Sequence, residues 1–366
     1  MGKTLVVCAV EDTGPARNVA LVVRRLKERG VMVRAFARGL AQETFSQMGL
    51  EHEEYTSARS VLEIGPDLVL GAIDSSCESP PAAEIAAMGL SIPLILVSDF
   101  WGAALAKLDS WRSISAAWLC VGDPEDAELT ARAFPLVPRE HIVITGRPAL
   151  DEYAGHPVGW VADLGATARV GMDIGAKSFV VLFAGQFART GEVFEELVNA
   201  LLKIGEDAVL IGRKHPRMAR KEWAAEATRW DAMAARLKGS CVRYLDRTGP
   251  DYDPTALIAA SNVVTTMFST VGVDAAVMRV PPVAILFQGV GQAEWERVEP
   301  EVPMFQPVTL GACALVRSRL ELITRLREAR SGELGRALLP AQERHFCTDG
   351  GNARRVADVV IGLLGG

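Results

Sequence analysis

A chain of 366 residues is long for a single domain, and length alone favours two. Its 49% hydrophobic and 23% charged residues describe an ordinary globular protein with ample core. A net charge of −6 argues against a general nucleic-acid binder, which would show a basic face or tail.

No apolar run approaches the ~18 residues that span a bilayer, so no transmembrane segment is expected. Met1-Gly2-Lys3-Thr4 enters a strand-like run with no small-residue cleavage site behind it, unlike a signal peptide. The expected location is cytoplasmic, which is compatible with peripheral membrane association and with self-association. The six cysteines are scattered and form no Cys-x-x-Cys pair, so they read as reduced and structural. The five histidines are equally dispersed, and no metal site is expected.

Along the chain, short apolar runs alternate with longer amphipathic ones, the pattern of βα units around a parallel sheet. The first half predicts strands at 4–10, 31–37, 68–73, 94–98, 117–121 and 141–145. Between the first two, Val19, Val22, Val23 and Leu26 recur at helical spacing, and Gly30 then stops the helix. A glycine-rich stretch without clear periodicity, 151–177, predicts an interdomain linker. A second series follows, with strands at 178–183, 208–211, 242–245, 262–266 and 283–287. Helices are expected near 193–204, 223–237, 254–260 and 271–278. A last apolar helix, 352–364, is expected to dock back across the hinge. The organisation is therefore an α/β protein of two Rossmann-like domains facing each other across a cleft. The expected parts are an acceptor domain at 1–150, the linker, a nucleotide-donor domain at 178–345 and a returning tail at 346–366.

In such sheets ligands collect at the carboxyl ends of the strands. Two loops there attract attention in the second half. Lys214-His215-Pro216 follows a strand, where its cations could pair with phosphate oxygens or form a solvated basic turn. Ser269-Thr270 with Gly272 opens a helix, where hydroxyls and N–H groups suit an anion, although capping alone explains the serine. Asp274 could reach a sugar or ribose hydroxyl, or complement the helix dipole. Gly185-Gln186 ends the first strand of this half, where its backbone could approach the same ligand or make a routine turn. In the first half, strand ends deliver Glu11 and Asp12, then Asp74, then Asp99 with Phe100 and Trp101. Asp12 and Asp99 are the candidate bases for an acceptor hydroxyl. Glu11, Asp74 and Trp101 are the candidate acceptor contacts. Capping for Asp12, a turn for Asp74 and aromatic packing for Trp101 remain open. Three motifs are absent: Gly-x-Gly-x-x-Gly after the first strand, a Gly-Lys-Ser/Thr phosphate loop, and a Gly-x-Ser-x-Gly elbow. Those absences count against a standard NAD enzyme, a P-loop ATPase and an α/β-hydrolase.

The segment from Asn262 to Ala276, followed by Pro281-Pro282-Val283, resembles the nucleotide-binding domain of GT-B glycosyltransferases. It is similar to the Ser-Ser/Thr segment of CDP-glycerol glycerophosphotransferase-like and bacterial sialyltransferase-like enzymes. Lys214-His215-Pro216 resembles their His-Pro motif, and Gly146-Arg147-Pro148 the stretch before their linker. Asp349 to Arg355 is similar to the opening of their closing helix. The resemblance implies an inverting, metal-independent and cofactor-free glycosyltransferase of cell-surface glycan synthesis. It would move a sugar from a nucleotide-activated donor to a glycan or small-molecule hydroxyl. His215 would act in catalysis by stabilising the departing phosphate. UDP-N-acetylglucosamine 2-epimerases share this fold and give the alternative, an epimerase or hydrolase that needs one substrate. A non-catalytic nucleotide-sugar-binding relative is the third reading.

Overall fold

The computed structural model describes residues 5–73, 80–88, 92–105, 111–115, 117–186, 188–249, 252–298, 302, 304–346 and 348–365. The chain forms two compact units. Unit 1 comprises Met1–Gly155, Glu299–Val302 and Thr348–Gly366, and unit 2 comprises His156–Val298 and Pro303–Cys347.

Unit 1 is built on a seven-stranded parallel sheet in the order β3-β2-β1-β4-β5-β6-β7. The strands are β1 (Leu5–Val10), β2 (Met32–Ala37), β3 (Glu53–Glu54), β4 (Leu68–Ile73), β5 (Leu94–Ser98), β6 (Ala117–Val121) and β7 (Ile142–Ile144). Both β4 and β5 are buried along their whole length, the continuous apolar signature of a covered parallel sheet. Gly71 within β4 lets the Pro81–Ala86 helix approach, since a Cβ there would lie 2.5 Å from the Ala82 methyl. The predicted strands of this half appear within a residue at either end. The exposed pair of glutamates that forms β3 carries no apolar signal and was not expected.

The first helix, Thr13–Glu28, buries Val19, Val22, Val23 and Leu26 as its periodicity requires. Gly30, with φ near 78°, ends it in the left-handed region. The closing helix, Asn352–Gly365, packs Val356, Ala357 and Val360 into the same core as Val6, Cys8 and Val19. Its N-terminus is capped from far away in sequence. Asp151 accepts from the Asn352 N–H at 3.0 Å and from the Ala353 N–H at 2.8 Å.

Unit 2 carries a six-stranded parallel sheet in the order β10-β9-β8-β11-β12-β13. Its strands are β8 (Val180–Ala184), β9 (Ala208–Arg213), β10 (Val242–Asp246), β11 (Val263–Thr266), β12 (Pro282–Ile285) and β13 (Ala314–Val316). Strand β13 is three residues long and was missed. An aromatic stack fills one face: Phe194 lies on Trp230 at 4.1 Å, Phe183 abuts both, and the Trp230 indole donates to Tyr244 Oη at 2.8 Å.

The expected linker, 151–177, contains the sequence boundary between the two units at Gly155. It takes in the end of a 3-10 turn, Pro148–Tyr153, and a helix, Trp160–Gly171, that its sequence does not announce. That helix buries only Gly165, whose missing Cβ leaves room for the Ala259 carbonyl. A helix that buries one glycine presents no apolar stripe, and periodicity cannot reveal it.

Replacing Asp151 by Ala removes two N–H acceptors from the closing helix and is expected to cost about 2 kcal/mol. Asp151→Asn keeps one acceptor and should lose about half as much. Urea denaturation of both variants measures this, and equal stability of Asp151→Ala and the parent chain would refute the cap.

Candidate functional site

In unit 2 the sheet order places β8 between β9 and β11, so their carboxyl ends lie side by side. The register is explicit: Ala184 sits opposite Arg213 on one side and Thr266 on the other. The residues that follow this row are Gly185-Gln186, Lys214-His215-Pro216 and, after a short turn, Ser269-Thr270. The strand order also reverses direction here, at β8 and β11, which is where open α/β sheets hold ligands. All seven predicted donor residues leave from these three loops or the helix behind them.

Each is set by local chemistry. Gly185 lies over Trp230, and a Cβ would come within 2.6 Å of its ring. The Gln186 N–H donates to Thr190 Oγ1 at 3.1 Å, while its own amide oxygen is buried without a protein partner. The turn after β9 is held by Arg213, whose guanidinium donates to the Tyr252 carbonyl at 2.9 Å. Burial lowers the pKa of Arg213, the nearby Asp253 opposing the shift. His215 caps the following 3-10 turn, its Nδ1 accepting from the Arg217 N–H at 3.1 Å. In the neutral ring the proton therefore sits on Nε2. Ser269 caps the Thr270–Val277 helix through Val271 N–H at 3.3 Å, and Thr266 Oγ1 accepts from the Ser269 N–H at 3.2 Å. Asp274 is buried within that helix.

Lys214 is the exception. Its ammonium lies 2.5 Å from Asp231 and 3.5 Å from Asp246, a side-chain neutralisation that no local sequence pattern shows. A cavity of about 640 Å³ lies along β10, lined by Asp207, Asp231, Lys238, Cys241, Arg243 and Tyr244 among others. It contains none of the expected site residues and only touches the Lys214 pair through Asp231.

In unit 1 the expected carboxylates separate. Asp12 caps the first helix, accepting from Thr13 N–H at 2.8 Å. Glu11 is turned to Arg38 at 2.7 Å, and Arg38 also holds Glu84, which accepts from Tyr55 Oη at 2.7 Å. Burial, and then the Glu84 carboxylate, push the Tyr55 phenol well above its usual range. Asp74 lies outside the described residues. Asp99, from the end of β5, is brought against the start of the first helix. Asn18 Nδ2 donates to it at 3.0 Å, and a Cβ on Gly14 would lie 2.5 Å from its Oδ2.

Trp101 is buried, and its indole N–H donates to Asp123 at 2.5 Å. The Arg147 guanidinium sits 4.0 Å over the Trp101 ring and donates to the Asp99 carbonyl. Beside it is Asp126, 1% exposed, with one oxygen accepting from the Gly122 N–H at 2.9 Å and the other without a partner. Burial pushes the Asp126 carboxyl up to about 6, against the Gly122 N–H, the Arg147 charge and Ser98. Arg147 and Asp126 went unnoticed in the sequence as site residues. Arg147 stands only as one arginine before a proline, and Asp126 looks like part of an Asp-Pro-Glu-Asp helix start.

Among the described residues no group of three or more His, Cys, Asp or Glu is disposed to hold a metal. No described helix is long and apolar enough to cross a membrane. No protein-family model matches the sequence, and no curated protein matches it. Solved structures do match over the full chain. A UDP-GlcNAc 2-epimerase from Neisseria meningitidis, bound to UDP-GlcNAc, has a TM-score of 0.70 at 13% identity, covering 98% of this chain and 100% of that one. The UDP-GlcNAc 2-epimerase of Methanocaldococcus jannaschii has a TM-score of 0.65 at 14% identity, covering 98% and 99%. A glycosyltransferase from Rickettsia africae has 0.64 at 12%, covering 100% and 99%. The two parallel-sheet units and these likenesses show a GT-B fold.

The Asp126 carboxyl also makes a stability statement. Folded, it holds its proton to about pH 6, against an ordinary value of 3.8. Between those values the native state binds more protons than the unfolded one, so stability falls as pH rises through the window. The gap corresponds to roughly 3 kcal/mol at most. Asp126→Asn should therefore be more stable than the parent at pH 7.5 and equal to it at pH 3.5. Thermal unfolding across pH 3.5–7.5 tests this, and an Asn variant less stable at pH 7.5 would contradict it.

Proposed function

We propose that the chain is an enzyme acting on a nucleotide-activated sugar, of the UDP-N-acetylglucosamine 2-epimerase or hydrolase type. The observation that carries this reading is the row of three adjacent loops at the β8/β11 switch point of unit 2. There, His215 offers an Nε2 donor, Ser269 and Thr270 offer hydroxyls, and the Thr270–Val277 helix presents its positive end. Those are the groups a nucleotide diphosphate needs, both when bound and when it departs. Gly185 permits close backbone approach, and Gln186 and Asp274 are assigned to the hydroxylated part of the ligand. Asp99, or Asp12, serves as base in unit 1. Two of the solved structures described above are named as UDP-GlcNAc 2-epimerases, and one of them as bound to UDP-GlcNAc. That supports the one-substrate reading over transfer. The Rickettsia africae likeness and the His-Pro resemblance support the second reading, an inverting glycosyltransferase using the same nucleotide seat.

Incubation of the chain with UDP-GlcNAc and no acceptor, followed by proton NMR, separates the readings. An epimerase or hydrolase converts the sugar stoichiometrically, and EDTA should leave the rate unchanged. His215→Ala and Ser269→Ala should each lower kcat/KM about 10- to 100-fold. Conversion only when an acceptor is added would favour transfer. No binding and no turnover of any UDP-sugar would sink both readings.

A further inference from the structure

We propose that Gly14 and Asn18 of the first helix form a positioning seat for the Asp99 carboxylate, Gly14 by leaving space and Asn18 by donating to it. This rests on the reading of Asp99 as the base, and it favours Asp99 over Asp12. The two residues are four positions apart, so they share one face of the Thr13–Glu28 helix. Asp99 reaches that face from just beyond the end of β5, 81 positions from Asn18 in the chain. A Cβ on Gly14 would lie 2.5 Å from Asp99 Oδ2, 2.7 Å from Oδ1 and 2.9 Å from Cγ. The whole carboxyl group therefore rests on the Gly14 backbone, where any other residue would displace it. Gly14 serves no left-handed turn, since its φ lies outside that region.

Asn18 is 2% exposed, and asparagine is a poor residue for a helix interior. Its amide is used at both ends. Oδ1 accepts from the Ala149 N–H at 2.8 Å. Nδ2 donates to the Gly14 carbonyl at 3.2 Å and to Asp99 Oδ1 at 3.0 Å. An N–H can only donate and a carbonyl can only accept, so these partners fix which end of the amide faces Asp99. Tying the helix to Ala149 needs the amide oxygen alone. The nitrogen, aimed at the carboxylate, adds a held orientation for Asp99. A hydrogen bond to an ionised carboxylate is stronger than one between neutral groups, which suits that task. A base works only when it is held at the proton it takes, so the seat acts on kcat and leaves KM nearly alone.

Two measurements test the seat, the first needing no substrate. Crystal structures of the full chain and of its Asn18→Ala variant are compared. The parent should show Asp99 against Gly14 with the Asn18 bond, and the variant should show the carboxylate rotated away. A parent without that bond, or an Asn18→Ala variant whose Asp99 stays in place, overturns the proposal. The second is turnover of UDP-GlcNAc. Pro15 disfavours a helical residue with a Cβ before it, so Gly14→Ala is made together with Pro15→Ala and compared with Pro15→Ala alone. The added methyl meets the end of a rotatable side chain, so the fold should survive while the carboxylate shifts. In the double variant kcat should fall about 10- to 100-fold with KM within about twofold. Asn18→Ala should show the same split, with a lowered melting point from the unpaired Ala149 N–H. A merely structural role predicts a lowered melting point with an unchanged kcat for the folded variants. That result overturns the seat and leaves Asp12 as the base. If UDP-GlcNAc is not turned over at all, the functional reading fails while the crystal structures still decide the seat.

Discussion

One carboxylate, that of Asp151, ties together the two main segments of a unit whose chain leaves at Gly155 and, after a brief visit at Glu299–Val302, returns at Thr348. Closing so long an excursion costs little more entropy than closing a short one, because the cost grows only with the logarithm of length. What must be specified is the register of the returning helix. Val356, Ala357 and Val360 enter a core already formed by β1 and the first helix, and a one-residue slip would present Arg355 in one direction or Asp358 in the other. Asp151 fixes that register by taking the first two N–H groups of the helix, where its charge also complements the dipole. Asn352 then donates to the Arg147 carbonyl at 3.0 Å, and the Arg147 side chain holds the Asp99 turn. The placement of the candidate base thus depends on the cap, through four named residues.

Unit 2 depends on a different constraint, the side-by-side parallel strands β9, β8 and β11. Buried hydroxyls of Thr265 and Thr266 are satisfied by the Leu182 and Ala184 carbonyls at 2.9 and 3.0 Å, locking β11 to β8 beyond the ladder itself. Beneath Gly185 the stack of Phe183, Phe194 and Trp230 forms a rigid floor. Any larger residue at 185 meets that floor, so the backbone of the first loop is held low and open. The fold therefore prepares the loop row before any ligand arrives.

How much of this was visible in the amino acids follows from where each signal lives. Strands such as Val180–Ala184 and Val263–Thr266 are apolar runs followed by turn chemistry, so both the strands and the loops behind them were legible. Glu53–Glu54 and Ala314–Val316 are too short to carry a period, and the Trp160–Gly171 helix buries only a glycine. Those elements are created by their neighbours. The loops at His215 and Ser269 were found because position after a strand is a sequence property. The stack of Arg147 on Trp101 and the burial of Asp126 were not, because each joins residues from separate strand ends. Glu11 shows the converse: its place after β1 was foreseen, but its engagement by Arg38 across 27 positions was not.

The ion pair of Lys214 bears on the nucleotide seat proposed for unit 2. Asp231 is 62% exposed and Asp246 is 43% exposed, so their hold on the ammonium is screened by water. Pairs of that kind contribute from nothing to about 1 kcal/mol. A hydrogen bond to a charged phosphate contributes about 1.5–3 kcal/mol. Under the proposed function, a diphosphate beside the β9 turn would have to compete with both carboxylates for the lysine. On that reading the seat combines groups held by the fold, at Ser269 and the start of its helix, with a cation that the ligand must share with Asp231 and Asp246. The fold-held groups would favour an anion at this row by position, and Lys214 would add its charge only as far as a phosphate displaces its carboxylates.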